Sequence, residues 1–231
     1  MSVAWFLVVR AGAGSRVGDD ALAGVSELLA RTPALSRGLV HTPATTHDPY
    51  LDDGSPPVLA IELHFDGLPA LEAALAPGAA LQRLPDLLPE VRHDDASQQA
   101  MYVRRFPVPE PSQVPGSGGT RCTYLVSYDG PATDQNAWMW HYVHHHPPLM
   151  ARFPGIREIE ICSRLDWCGF LPWRRADCMQ RNKVVFDDPA ALTAALNSPV
   201  RDEMRRDFAE FPPFTGAVLH FPMLTRELSL A

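Results

Sequence analysis

The chain has 231 residues, 46% hydrophobic and 20% charged, with 15 Gly, 23 Pro and 4 Cys, a composition that excludes disordered and fibrous architectures. Its length fits one large domain or two small ones, either able to bury a core without staples. A formal charge of -7, from 27 acidic against 20 basic residues, supplies no electrostatic footprint for nucleic acid or an anionic membrane.

The first apolar run, Val3 to Val9, is far short of the ~20 residues a membrane span requires and is followed at once by Arg10, so it is predicted to be a buried strand. Cys122, Cys162, Cys168 and Cys178 are too sparse for a disulfide framework and form no CxxC pair of the zinc-binding kind. Free thiols in a reducing cytoplasm are expected.

Internal repetition organises the rest of the chain. Phe65-Asp66-Gly67-Leu68-Pro69-Ala70-Leu71-Glu72-Ala73-Ala74-Leu75 recurs as Phe186-Asp187-Asp188-Pro189-Ala190-Ala191-Leu192-Thr193-Ala194-Ala195-Leu196, an offset of 121. The same offset lays Ala34-Leu35-Ser36-Arg37 over Gly155-Ile156-Arg157-Glu158, and a slightly shorter one lays Phe6-Leu7-Val8 over Tyr124-Leu125-Val126. Residues 107–119 are rich in Pro and Gly and form the expected linker. The chain is thus predicted to be a tandem duplication of residues 1–106 and 120–231.

Each half is predicted to run β-α-β-β-α-β. In the first half the leading elements are a strand from Val3 to Arg10, a helix from Asp19 to Arg31, and strands from Leu35 to Thr42 and Val58 to Phe65. Their counterparts are Cys122 to Tyr128, Asp134 to Arg152, Ile156 to Arg164 and Met179 to Phe186, with short helices and a last strand closing each half. Asp66 and Asp187 are placed to cap the helices just after them. Two antiparallel sheets with helices on one face each must cover their other faces, and the simplest solution packs them together as a covalent pseudo-dimer.

In the second half, His141-Tyr142-Val143-His144-His145-His146-Pro147-Pro148-Leu149, followed by Phe153-Pro154-Gly155-Ile156, resembles the HY-x3-H-x-PL-x4-PG stretch of the EthD-like proteins of the dimeric α+β barrel superfamily. Tyr128-Asp129-Gly130-Pro131 at the end of the preceding strand is also similar. The resemblance implies an α+β fold in which tandem ferredoxin-like βαββαβ repeats form an intrachain dimeric α+β barrel. It implies no single reaction: the superfamily holds cofactor-free monooxygenases acting on polyketide-like aromatics, lactone isomerases, dehydratases and haem-using enzymes.

Asymmetry between the halves points to one of them. The offset of 121 maps Tyr142 onto Ala21 and His146 onto Val25, while Leu149 maps onto Leu28, so the first half keeps the packing and lacks the polar groups. Tyr142 and His146 stand four residues apart, in register with Trp138 and Leu149 on the stripe facing the sheet. A partly desolvated His146 suits general acid or base work, and Tyr142 can orient an enolate or phenolate oxygen. The bland alternative is a packed histidine bonded to a loose helix end, since Pro147 and Pro148 are expected to kink the helix there. Tyr128, Trp138 and His141 complete the expected walls.

His141 and His145 are also four apart, but no carboxylate accompanies them nearby in sequence, and an exposed polar face is the expectation rather than a metal site. No tightly bound cofactor is expected; haem, with His146 or His220 as axial ligand, is the alternative that the superfamily implies. The insertion from Asp166 to Asp177 is rich in aromatics. Trp167, Phe170 and Trp173 could lid an apolar pocket with Arg174 or Arg175 facing an anionic group, or the loop could pack on the other half or mediate dimerisation. The first-half counterpart, with His47, Asp48, Tyr50, Asp52 and Asp53, reads as a solvated turn.

No GxSxG elbow, GxxxxGK[ST] loop or strand-linked GxGxxG is present, and Ala11-Gly12-Ala13-Gly14 reads as a flexible turn. Cys162 reads as buried in a strand. Two functions are consistent with these residues: a small-molecule enzyme using His146 and Tyr142 on an aromatic, lactone or polyketide-like compound, or a non-catalytic binding protein on the same scaffold. A homodimer formed through an exposed sheet edge is a further expectation.

Overall fold

The computed structural model describes residues 2–10, 16–46, 48–111 and 119–230. His47, the Ala11-Gly14 turn and residues 112–118 of the linker lie outside the described residues. In chain order the elements are β1 (Val3–Val9), α1 (Asp19–Ala30), β2 (Leu35–Pro43), β3 (Leu59–Phe65), α2 (Leu68–Leu75), α3 (Leu84–Leu87), β4 (Ala96–Phe106), β5 (Thr120–Tyr128), α4 (Gln135–Met150), β6 (Ile156–Arg164), β7 (Arg174–Arg175), β8 (Gln180–Phe186), α5 (Pro189–Leu196), α6 (Pro199–Ala209) and β9 (Val218–Glu227).

Eight strands lie in the order β1-β3-β2-β9-β5-β8-β6-β4, and β4 pairs again with β1, so the antiparallel sheet closes into a barrel. The first-half strands are contiguous, as are the second-half strands, and the seams are β2 with β9 and β4 with β6. Closure pairs the edge on which the homodimer expectation rested. No described helix is long and apolar enough to cross a membrane.

Alternation along the strands makes two layers of core. Val3, Trp5, Leu7 and Val9 point outward into a cluster with α1 and α2, whereas Ala4 and Phe6 point into the barrel with Met101, Val103 and Cys162. The second half repeats the outer layer with Cys122, Tyr124, Val126 and Tyr128 beneath α4, α5 and α6. Register fixes the correspondence between the halves. Val3 faces Phe65 as Cys122 faces Phe186, and a register shift falls between Leu35 and Arg37 as it does between Ile156 and Glu158. Trp5 therefore corresponds to Tyr124, which corrects the Phe6 alignment by one residue; a one-residue slip would have turned every side chain to the wrong face.

The inside of the barrel is polar where the halves meet. Lys183 lies 2.7 Å from Glu62, 3.0 Å from Glu160 and 3.4 Å from Glu158. Arg37 donates in bidentate fashion to Glu158 and to Glu227, and His64 Nε2 is 2.5 Å from Glu62. Burial alone would lower the Lys183 pKa, but the three carboxylates outweigh it and raise it. Burial would likewise raise Glu158, yet Lys183 and Arg37 hold it down to about 2.

Local signals place the helices with two corrections. Asp134 caps α4 through the N–H groups of Asn136 and Ala137, and Asp188, not Asp187, caps α5 through Ala191. Asp187 instead pairs with Arg121 and Arg157, and the N-cap of α2 is Gly67, not Asp66. The helix α4 runs through Pro147 and Pro148, which sit in its last turn.

Candidate functional site

Trp138, Tyr142, His146 and Met150 recur every fourth residue on the buried face of α4. The matching face of α1 carries Val25 and Leu29 where α4 carries His146 and Met150. Asp207 comes from α6, on the same buried face as Val200 and Met204. Packing of α6 on α4 brings it to both histidines: Asp207 Oδ2 is 2.6 Å from His146 Nδ1, and Oδ1 is 3.2 Å from His141 Nε2.

An ionised carboxylate only accepts hydrogen bonds, so these two ring nitrogens carry protons and His146 Nε2 keeps its lone pair. Burial lowers the His146 pKa, with Asp207 opposing in part; burial would raise Asp207, but its bonds to His146 and His141 lower it. The pair is therefore a neutral imidazole on a carboxylate, the arrangement that orients a general base.

This arrangement predicts a pH dependence of stability. Burial lowers His41 and His220 as well as His146 below the ordinary imidazole value of 6.5. The unfolded chain then takes up protons at a higher pH than the folded chain, so stability is full above about 6.5 and falls as the pH drops through that value. The melting temperature is expected to fall between about pH 8 and about pH 5, with a shallower slope in His146→Asn. A melting temperature that rises on acidification would show that these imidazoles gain protons on folding.

His146 forms part of the wall of a cleft of about 450 Å³, with Tyr128, Arg201, Met204, Phe208 and His220. A smaller pocket of about 40 Å³ shares Tyr128, His146, Arg201, Met204 and His220 and extends to Met150 and Phe153. The remaining wall comes from the first half. Tyr50 and Leu51 line the cleft, and Asp48 accepts hydrogen bonds from Tyr124 at 2.7 Å and Arg201 at 2.9 Å. Asp53 holds the His220 ring nitrogen Nδ1 at 2.9 Å and its backbone N–H at 2.8 Å. The segment expected to be a solvated turn is thus built into the second-half cleft.

The aromatic insertion of the second half goes the other way. Trp167, Leu171 and Trp173 are buried in the first-half core, and β7 pairs in parallel with β4. Gln98 donates to the carbonyls of Leu171 and Trp173 at 3.0 and 2.8 Å. Trp5 pairs with Ala100 as Tyr124 pairs with Pro222, so Gln98 corresponds to His220. At corresponding places, each half holds the insertion of the other. The second-half insertion packs as a plug on the first half and contributes no lid to His146. Phe170 and Arg174 are exposed, and Arg175 stacks over Trp167 with 4.3 Å to the ring centroid.

No protein-family description matches the chain, and no curated protein is similar to it in sequence. Solved structures are similar in fold. An anthrone oxidase-like protein superposes with a TM-score of 0.66 at 12% identity, covering 100% of this chain and 95% of its own. A putative monooxygenase from Lactobacillus acidophilus gives 0.55 at 9% identity, covering 97% and 93%. The fold is the dimeric α+β barrel. An EthD family protein from Bacillus halodurans gives a TM-score of 0.34 at 20% identity, covering 43% of this chain and 96% of its own.

Within this barrel the residues singled out from sequence separate into three groups. His146 and Tyr128 line the cleft. Trp138 and Tyr142 are fully buried behind it in an aromatic cluster with Tyr128 and Phe211, and Asn182 Nδ2 donates to the Tyr142 hydroxyl. His141 reaches Asp207, while Trp167, Trp173 and Arg174 belong to the other half's surroundings. Sequence reasoning missed Asp207, Arg201, Asp48 and Asp53. Asp207 left one signal, a carboxylate in helical register with Val200 and Met204 on an otherwise apolar face.

Proposed function

We propose that the second-half cleft binds a small aromatic, lactone or polyketide-like compound and that His146, oriented by Asp207, moves a proton on it without a tightly bound cofactor. One observation carries the reading: a neutral imidazole backed by a carboxylate stands in the wall of an open cleft, where the corresponding helix of the first half has Val25. In this reading Nε2 of His146 accepts a proton from an acidic C–H or O–H, and the anion formed lies near the Arg201 guanidinium. Arg201 suits that task because its buried Nε has no hydrogen-bond partner among the described residues. Tyr142 acts as a positioning residue, since it is fully buried behind the cleft. The names of the fold neighbours, anthrone oxidase-like and monooxygenase, support polycyclic phenolic ketones as the first class to try. The His141 to Leu149 stretch supports an EthD-like relationship, and the matching registers support an origin by internal duplication.

The test is a thermal-shift screen of wild type and His146→Ala against anthrones, phenols, aromatic acids and lactones, followed by product analysis. A ligand at a hundred times its Kd stabilises the native state by about 2.7 kcal/mol, which a melting curve resolves. The expected result is a hit that stabilises wild type, is converted by it, and is not converted by a folded His146→Ala. Stabilisation without conversion would favour a binding protein, a reading that the full burial of Tyr142 also fits. A His146→Ala variant that is itself unfolded, with no ligand for wild type, would make His146 structural.

A further inference from the structure

We propose that His141, His145 and Asp207 form a site for a divalent transition-metal ion of the Zn²⁺, Co²⁺ or Ni²⁺ class, beside the His146–Asp207 pair. The inference stands apart from the catalytic reading, because it rests on the three donors alone. Their ligand atoms all lie within 4.8 Å of one another. His141 and His145 are one helical turn apart on α4 and their rings stack, 10° apart with centroids at 4.5 Å, so the exposed His145 ring has to turn to bring its lone pair to an ion held by His141 and Asp207. The third donor was invisible in the sequence because it arrives on α6.

Geometry and donor type agree. His141 Nε2 and Asp207 Oδ1 are 3.2 Å apart, close to the roughly 3.3 Å edge of a tetrahedron with bonds of about 2.0–2.1 Å. Two imidazoles and one carboxylate favour borderline transition ions over Mg²⁺ or Ca²⁺, which want more oxygen. Binding needs only that His141 change tautomer through solvent, one proton leaving Nε2 and one arriving at Nδ1, so that the Nε2 lone pair goes to the metal. Asp207 is already oriented through its other oxygen, which His146 Nδ1 holds at 2.6 Å, the outer-shell support that metal-bound carboxylates need. His145 is exposed, so the site opens to solvent and leaves a coordination position for water.

Two neighbouring features sharpen the assignment. His144 stacks on Trp140 with centroids at 3.7 Å and bonds the Trp140 carbonyl through Nδ1, so it is turned away from the three donors. Another cluster among the described residues, Glu62, His64 and Glu160, has its carboxylates already committed to the Lys183 ammonium, at 2.7 Å from Glu62 and 3.0 Å from Glu160. A cation is built into that cluster.

The experiment is titration of the untagged full chain with Co²⁺, followed by its visible d–d absorption, with displacement by Zn²⁺. Wild type is expected to take up a single equivalent with the intense bands of a four-coordinate ion. His145→Ala removes an exposed side chain, and it is expected to weaken binding roughly tenfold or more while keeping the wild-type circular dichroism. His144→Ala is expected to stay within about twofold of wild type, since it removes no ligand. No saturable Co²⁺ binding by wild type, unchanged affinity in His145→Ala, or an equal loss in His144→Ala would each overturn the site.

Discussion

Replacing Lys183 by Met is expected to lower the free energy of unfolding by about 3–5 kcal/mol, the cost of leaving buried carboxylates without their cation. The ammonium has less than a tenth of its side chain exposed, and it meets Glu62, Glu160 and Glu158 within 3.4 Å. Methionine fills a similar volume, so the loss reports charge rather than a cavity. Two further results are expected from the same cause. Lys183→Met/Glu62→Gln recovers part of the loss, because one stranded carboxylate has gone. The loss also shrinks in mild acid, where the stranded carboxylates take up protons. Equilibrium denaturation of the single and double variants measures all three, and a change in Lys183→Met below about 1 kcal/mol would mean that water or repacking replaces the ammonium.

The same pair bears on how the halves recognise each other. Glu62 and Lys183 are separated by 121 residues, and so are Arg37 and Glu158, so each pair joins positions that correspond between the halves. Two identical halves would bring Glu to Glu and Lys to Lys inside a barrel, which burial makes prohibitive. Joining the halves in one chain lets corresponding positions carry opposite charges, and the interior then favours pairing between unlike halves.

Trp173→Ala is expected to destabilise the protein by about 3–5 kcal/mol, the usual range for deleting a buried aromatic side chain. Trp173 is only 4% exposed, packs in the first-half cluster with Trp167 and Leu171, and has its carbonyl held by Gln98. The deletion opens space in the half that otherwise has Val25 in place of His146. An apolar cavity of that kind takes up small aromatic molecules, so indole is expected to raise the melting temperature of the variant by more than it raises that of wild type. Urea denaturation gives the first quantity and a thermal shift with indole the second. Destabilisation below about 1 kcal/mol together with no response to indole would show that the insertion is not the plug that closes this half.

Much of the architecture was legible in the residues. Strand and helix positions follow from period, and the bounds of β6 agree to the residue, because alternation and β-branched content act over a few neighbours. The offset between Phe65 and Phe186 relates positions that hold the same place in the strand register, and the contrast between Val25 and His146 located the helix with polar groups on its buried face. Where the alignment slipped, at Phe6 against Tyr124, the run of apolar residues in β1 offered no alternation to fix its face. All seven of its residues are buried, some beneath the helices and some inside the barrel.

By itself, then, the sequence determined the elements and the position of His146 on a buried helical stripe, both consequences of short-range pattern. Only the tertiary structure decided what His146 works with. Asp207, Arg201, Asp53 and the exchange of insertions depend on contacts between residues from 61 to 167 positions apart. Such contacts are selected by barrel closure, which burial of the two sheet faces drives and local sequence does not encode. The loops showed this most clearly. Their composition identified aromatic and acidic segments correctly, but whether each covers its own half or the other is set by which strands meet at the seams, β2 with β9 and β4 with β6.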